Sequence, residues 1–186
     1  MKKWTFLALI LAVGVIAALA YGATTKVVFE GEHYTSITPS MTQGSSGDAS
    51  NGAYVQVPLQ RPHGYEEGAP TDTGKAVYKI KIPVAGSYRV WARCHWYDGC
   101  GNSFFLKIDD KPAVVLGQDG TYQRWHWVKG PTLHLGTGQH TIVLQNREDG
   151  SKLDQALLTT DLRYVPVRIE KETPAYVVRQ GTGNGQ

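Results

Sequence analysis

An all-β sandwich is the fold class this sequence predicts, on three observations. Short runs of residues alternate apolar and polar with period two. Gly, Pro and Asp clusters stand between those runs as turns. Beyond Gly22, no stretch keeps the period of an amphipathic helix.

The runs can be taken in order. Lys75–Ile82 places Ala76, Tyr78, Ile80 and Ile82 on one face and lysines on the other. Ser87–Arg93 alternates Tyr88, Val90 and Ala92 with Arg89, Trp91 and Arg93. Ser103–Ile108 and His140–Asn146 follow the same rule, and their β-branched and aromatic content argues strand. Pro83–Gly86, Asp109–Pro112 and Gly136–Gly138 lie between runs as turns. Further strands are expected at Val27–Tyr34, Ala53–Val57, Ala113–Leu116, Tyr122–Val128 and Asp154–Thr160. About ten short strands at this spacing predict a sandwich. Thr35–Asn51 and Leu59–Gly74 are long for loops, and long loops are commonly functional.

The N-terminus carries an address. Met1-Lys2-Lys3 precedes an uncharged run from Trp4 to Ala20, closed by Ala18-Leu19-Ala20 or Ala20-Tyr21-Gly22 as a cleavage site. That is the order of a secretory signal. The alternative is a retained anchor helix, for which the run falls slightly short of the ~20 apolar residues of a full span. Residues 1–22 are therefore expected to be signal or anchor, 26–166 the folded domain, and 167–186 a flexible polar tail. The destination is the periplasm, the cell surface or the medium, and a membrane enters only if the first segment is retained. Without Lys2 and Lys3 the formal charge falls from +3 to +1. Nucleic acid is not expected as a partner at that charge, since it calls for a clustered basic face.

The chain has two cysteines, Cys94 and Cys100, with Asp98 and Gly99 between them. In an exported protein this spacing is expected to be a disulfide stapling a tight loop. The rival reading is a metal site with His95, a weak zinc pattern.

Catalytic motifs are missing: there is no Gly-x-Ser-x-Gly elbow, His-Glu-x-x-His pair or phosphate-binding glycine loop. Asp109-Asp110 falls where a hairpin turn belongs. The chain is expected not to be an enzyme. Glu30 and Glu32 lie two apart and so share a strand face, and Asp154 is embedded in the last apolar run. Three carboxylates from the first and last strands would suit Ca²⁺, which takes hard oxygen ligands; solvated edge positions are the alternative. Trp96 and Tyr97 sit inside the Cys94–Cys100 loop, with binding and packing both open to them. Tyr122, Trp125 and Trp127 crowd one run. Trp125 and Trp127 share a face, so at least one is expected to meet the core.

These segments, in this order, resemble the galactose-binding-like jelly rolls of carbohydrate-binding module families 6 and 35, and a bacterial subgroup with a Cys-Gly-Asn-Ser-Phe loop. The resemblance runs from Val27 to Val165. Phe29–Glu32 is similar to the families' opening Glu-Ala-Glu strand, and Val84–Arg93 to their central Ala-Gly-x-Tyr strand. Asn51–Val55, Ile108–Asp110, Trp125–Val128, Leu135–Ile142 and Leu153–Leu158 complete it. The resemblance implies a structural Ca²⁺ at Glu30, Glu32 and Asp154, with the choice between the two glutamates open. It implies a poly- or oligosaccharide ligand at the loop end of the sandwich. Tyr122 and Trp125 fall on a Trp-x-x-Trp pattern, from which Tyr122 departs. Lys152 stands where the families carry an Asn, which admits an acidic sugar because lysine only donates. The expected glycan contacts are Trp96, Tyr97, Tyr122 and Trp125 for stacking and Asn102, Glu148 and Lys152 for hydroxyls. A structural or adhesive surface protein using the jelly roll as scaffold is the alternative.

Overall fold

The computed structural model describes residues 24–59 and 73–179. The signal or anchor segment, most of the Leu59–Gly74 loop and residues 180–186 lie outside them. The strands are β1 (Lys26–Glu30), β2 (Ser36–Thr38), β3 (Thr42–Ser45), β4 (Ala53–Gln56), β5 (Lys75–Ile82) and β6 (Gly86–His95). They continue as β7 (Ser103–Ile108), β8 (Val114–Gly117), β9 (Trp125–Leu135), β10 (Gly138–Gln145), β11 (Lys152–Thr159) and β12 (Val177–Val178). All pairings are antiparallel. One sheet runs β3–β4–β11–β6–β9 with β1 also on β11; the other runs β12–β5–β10–β7–β8 with β2 also on β5. The sandwich is a jelly roll.

Alternation decides which residues fill it. Ala76, Tyr78, Ile80 and Ile82 of β5 face Tyr88, Val90, Ala92 and Cys94 of β6 in one core with Phe29, Phe104 and Leu144. Each large apolar side chain taken from water there contributes about 1.5–3 kcal/mol. The inward row of β6 does not stop with the strand. Trp96 takes the next inward position, is fully buried, and packs on Phe104 at 5.7 Å. It is a core residue and not the exposed platform expected.

The same alternation overturns the disulfide. Cys94 is inward and buried, whereas Cys100 is exposed on the following turn, and the two are not joined. Burial pushes the Cys94 thiol well up.

The expected C-terminal tail is also corrected over residues 167–179. Thr173 donates its amide to Val28 O at 3.0 Å, Trp127 Nε1 donates to Arg168 O at 2.9 Å, and β12 pairs with β5. This strap covers the outer face of the first sheet, where Val28, Trp91 and Leu157 form a second apolar cluster with Trp127 and Tyr164. Its backbone groups find partners on the sheet, so a polar segment becomes ordered.

Candidate functional site

A cleft opens on the outer face of the first sheet, and strand register builds it. Lys152 on β11 pairs with His95 on β6, which pairs with Trp125 on β9. Their neighbours Leu153 and Cys94 point into the core, so these three point out. Trp125 is the centre of the group. Its ring meets Tyr54 edge-on at 5.5 Å and His95 at 5.4 Å, and the Arg93 guanidinium lies 5.3 Å from its centroid. Tyr54 lies across β3 because its register partner there is Gly44, where a Cβ would stand 2.5 Å from the ring. Lys152 extends over Tyr54, with Nζ 5.3 Å from the ring centroid.

Ser46, Asp48, His95, Gln123, Arg124, Trp125 and Lys152 enclose about 330 Å³. His95 Nδ1 is buried, with no hydrogen-bond partner among the described residues. Burial lowers the His95 pKa, and Lys152 adds to the effect. The ring is therefore uncharged at neutral pH, with one nitrogen able to accept. Trp125 and Trp127 share the outer face of the sheet; Trp127 packs there on the apolar cluster of Val28, Trp91 and Leu157, the core contact expected of one of the two, and His126 between them packs edge-on against Trp96.

The loop end is arranged differently. Tyr97 and Tyr122 are exposed there. Asn102 and Glu148, expected to meet a ligand, bind the protein instead. Glu148 Oε2 accepts from the Asn102 amide at 3.0 Å and from Ser103 Oγ at 2.7 Å, and Oε1 accepts from Arg147. Asn102 Nδ2 donates to Gly99 O at 2.7 Å. Asp98 Oδ1 accepts from the amides of Cys100 and Gly101, closing the turn without a disulfide. Of the seven expected glycan contacts, Trp125 and Lys152 share the cleft, and Tyr97 and Tyr122 share the loop end. Sequence reasoning missed Tyr54, Asp48, Arg93, His95, Gln123 and Arg124 in this role. The alignment of His95 with Trp125 follows from pairing β6 to β9, which alternation alone does not specify.

The three carboxylates meet beside the cleft. Asp154 sits at a β-bulge between Leu153 and Gln155, which turns it off the regular alternation. Gly31, between Glu30 and Glu32, lets β1 end against that bulge: a Cβ there would stand 2.4 Å from Leu153 O. Asp154 Oδ1 accepts from the Ser50 amide at 2.7 Å and Oδ2 from Arg93. Glu30 Oε1 accepts from Ser50 Oγ at 3.1 Å and Gln155 Nε2 at 2.9 Å. Glu30 Oε2 and Glu32 Oε2 are buried and have no hydrogen-bond partner among the described residues. Burial pushes Glu30 up to about 7, with Glu32 and Asp154 adding repulsion, and burial raises Glu32 and Asp154 too. Two orphaned carboxylate oxygens suit a hard cation, whereas Asp154 already has Arg93. Among the described residues, no three His, Cys, Asp or Glu side chains close on a metal position.

No family model and no curated protein matches the chain. Its fold is shared by solved structures. A family 35 carbohydrate-binding module from Clostridium thermocellum superposes with a TM-score of 0.53 at 15% identity, over 72% of this chain and 97% of that one. The family 6 module CBM6cm-2 of Cellvibrio mixtus lichenase 5A, solved with cellotriose, gives 0.52 at 17% identity, over 74% and 98%. The GH26-CBM35 β-(1,4)-mannanase of Podospora anserina gives 0.58 at 16% identity over 76% of this chain, which spans 29% of that protein. The fold is that of the family 6 and family 35 carbohydrate-binding modules.

Proposed function

We propose that this protein is a non-catalytic carbohydrate-binding module, exported by residues 1–22, that takes a poly- or oligosaccharide in the outer-face cleft. The observation that carries this reading is Trp125, an aromatic ring in a concave site beside Lys152 and Arg124, which have no carboxylate partner among the described residues. An indole face offers an apolar plane to the C–H face of a sugar ring. Asp48, Arg124 and Lys152 supply donors and acceptors for hydroxyls, while the Gln123 amide is tied to Tyr97 O. A site with such groups rejects ligands that leave them unpaired. The fold supports the reading, because modules of this fold include one solved with cellotriose.

The non-catalytic part rests on charge. Asp48 is the one carboxylate lining the cleft among the described residues, whereas glycoside hydrolysis generally uses two flanking the bond. We further propose that Ca²⁺ binds at Glu30 and Glu32 with nearby backbone carbonyls, and that Asp154 contributes through Arg93 and Ser50. The bound ion would neutralise the two orphaned oxygens and tie the end of β1 to β11.

Titration of the purified domain against a diverse glycan set tests the proposal. Binding that is lost in Trp125→Ala, with no release of reducing ends from any polysaccharide, is expected. Binding indifferent to Trp125, or turnover of a glycan, contradicts it.

A further inference from the structure

We propose that the end of the sandwich at which β1 begins docks on a lipid surface, with residues 1–22 kept in the bilayer as its anchor. The inference is independent of the glycan reading.

Connectivity puts that end beside the bilayer. The uncharged run closes at Ala20, and only Tyr21, Gly22, Ala23 and Thr24 separate it from Thr25. Four residues reach about 14 Å at most. Thr25 is fixed to the sheet: its amide donates to Thr160 Oγ1 at 2.8 Å, and its carbonyl accepts from the Thr160 amide at 3.0 Å. Whatever holds the run therefore holds this end of the sandwich close by.

An apolar patch surrounds the point of entry. Leu162 lies two residues beyond Thr160 and is exposed. Val84 is exposed on the turn between β5 and β6. Tyr88 brings that turn to the same place, because its hydroxyl donates to the Val84 carbonyl at 2.7 Å and lies beside the Thr25 side chain. A Cβ on Gly86 would stand 3.6 Å from the Thr160 methyl. Val165 and Val167 follow where the strap leaves this end, and Val167 is 83% exposed. Single exposed apolar residues are ordinary on a protein surface, whereas a contiguous group marks a partner.

The charges decide which partner. Arg163 and Arg168 are exposed in the strap, and neither has a carboxylate partner among the described residues. The acids nearby are engaged: Glu170 by Lys26 and Tyr164, and Asp161 by the Arg163 amide at 3.0 Å. Asp110, on the turn after β7, is flanked by Lys111. Residues 60–72, which carry Glu66, Glu67 and Asp72, join the described chain at the opposite end, where Val57 meets Gly150 and Gly74 meets Asn146. Basic residues beside exposed apolar ones suit an anionic lipid surface. A second copy of the chain would bring the same two arginines against each other, and like charges oppose that contact.

Docking here also aims the cleft. The eleven residues of β9 lead from Leu135 at this end to Trp125. At about 3.3 Å per residue they hold the cleft about 30 Å farther out, facing away from the lipid.

The test uses the full chain reconstituted in vesicles of phosphatidylcholine with phosphatidylglycerol. A thiol-reactive fluorophore is attached at position 162, through Leu162→Cys in a Cys100→Ser background. The control label sits on the native Cys100, exposed at the loop end, while Cys94 is buried. Lipids with a quencher on the acyl chain should quench the label at 162 and leave that on Cys100 unchanged. Val84→Asp with Val167→Asp should abolish this quenching while the chain still floats with the vesicles. Arg163→Gln with Arg168→Gln should weaken docking by about fivefold for each arginine, the effect of one basic residue at an anionic surface. Pure phosphatidylcholine should weaken the parent to the same degree. The proposal is overturned if the label at 162 is quenched no more than that on Cys100, if the double aspartate variant keeps the quenching, or if the chain does not float. A mature exported chain beginning at Tyr21 or Ala23 overturns it as well. So does a label at 162 shielded from a water-borne quencher and not reached by the lipid-borne one, which would put a protein on the patch.

Discussion

The loop end around Tyr97 and Tyr122 and the outer-face cleft around Trp125 are made from the same kinds of residue. Each has exposed or half-exposed aromatics, an acid and a base close by. At the loop end, Glu148 is fully engaged: it accepts from the Asn102 amide, Ser103 Oγ and Arg147. In the cleft, the His95 Nδ1 atom has no hydrogen-bond partner and Lys152 and Arg124 have no carboxylate partner among the described residues. Residue type therefore does not separate a binding site from a well-tied loop. What separates them is whether the polar groups have already been satisfied by the protein.

Substitutions can break or sharpen that contrast. The largest effect is expected beneath the loop end. Trp96→Ala empties a fully buried site and should cost about 3–5 kcal/mol of stability. Denaturant unfolding measures it; a loss of glycan affinity without a loss of stability would contradict the core placement. Glu148→Ala comes next. It leaves the Asn102 amide and the Ser103 hydroxyl without their acceptor, for about 1–3 kcal/mol, and glycan affinity should not follow.

How much of this was legible can be argued from single residues. The inward rows of β5 and β6 were readable because period two is visible in the sequence itself. Trp96 was legible in principle: it continues the row Tyr88, Val90, Ala92, Cys94 by one step. The presence of two nearby cysteines in a chain expected to be exported pointed the other way, towards an exposed stapled loop. The cleft was only half legible. Trp125 and Lys152 could be singled out, but His95 joins them through inter-strand register, and Asp48 reaches the rim from a loop distant in sequence. The strap over residues 167–179 was missed because its order comes from partners on the sheet, not from its own apolar content. Glu30, Glu32 and Asp154 were singled out from their strand positions, and the resemblance to a known pattern favoured the metal reading. The hold of Arg93 on Asp154 was not foreseen.

That carboxylate group yields a smaller effect with a definite sign. Glu30 has its folded pKa raised to about 7, so the folded state holds its proton more tightly than the unfolded chain does. Its contribution to stability is present below the unfolded carboxylate range and is lost as pH rises through about 7. With metal removed by chelator, the melting temperature should therefore fall between pH 5 and pH 8 more than it does in Glu30→Gln. Excess Ca²⁺ should reverse the fall at pH 8, because a ligand of the folded state stabilises it by mass action. Melting that ignores both chelator and Ca²⁺ contradicts the proposed ion. The smallest effect is expected for Tyr122→Ala, an exposed loop residue: stability within about 0.5 kcal/mol of the parent, measured by denaturant unfolding.

The direct measurement of the central claim sets the two regions against each other. Glycan affinity is titrated for the parent domain, for Trp125→Ala, and for the double variant Tyr97→Ala with Tyr122→Ala, each checked for an unchanged melting transition. If the cleft is the site, Trp125→Ala weakens binding by about 2 kcal/mol or more, the loss expected of a central aromatic anchor, and the double tyrosine variant binds like the parent. The opposite pattern, with affinity lost at the tyrosines and kept without Trp125, would place the ligand at the loop end and contradict the account.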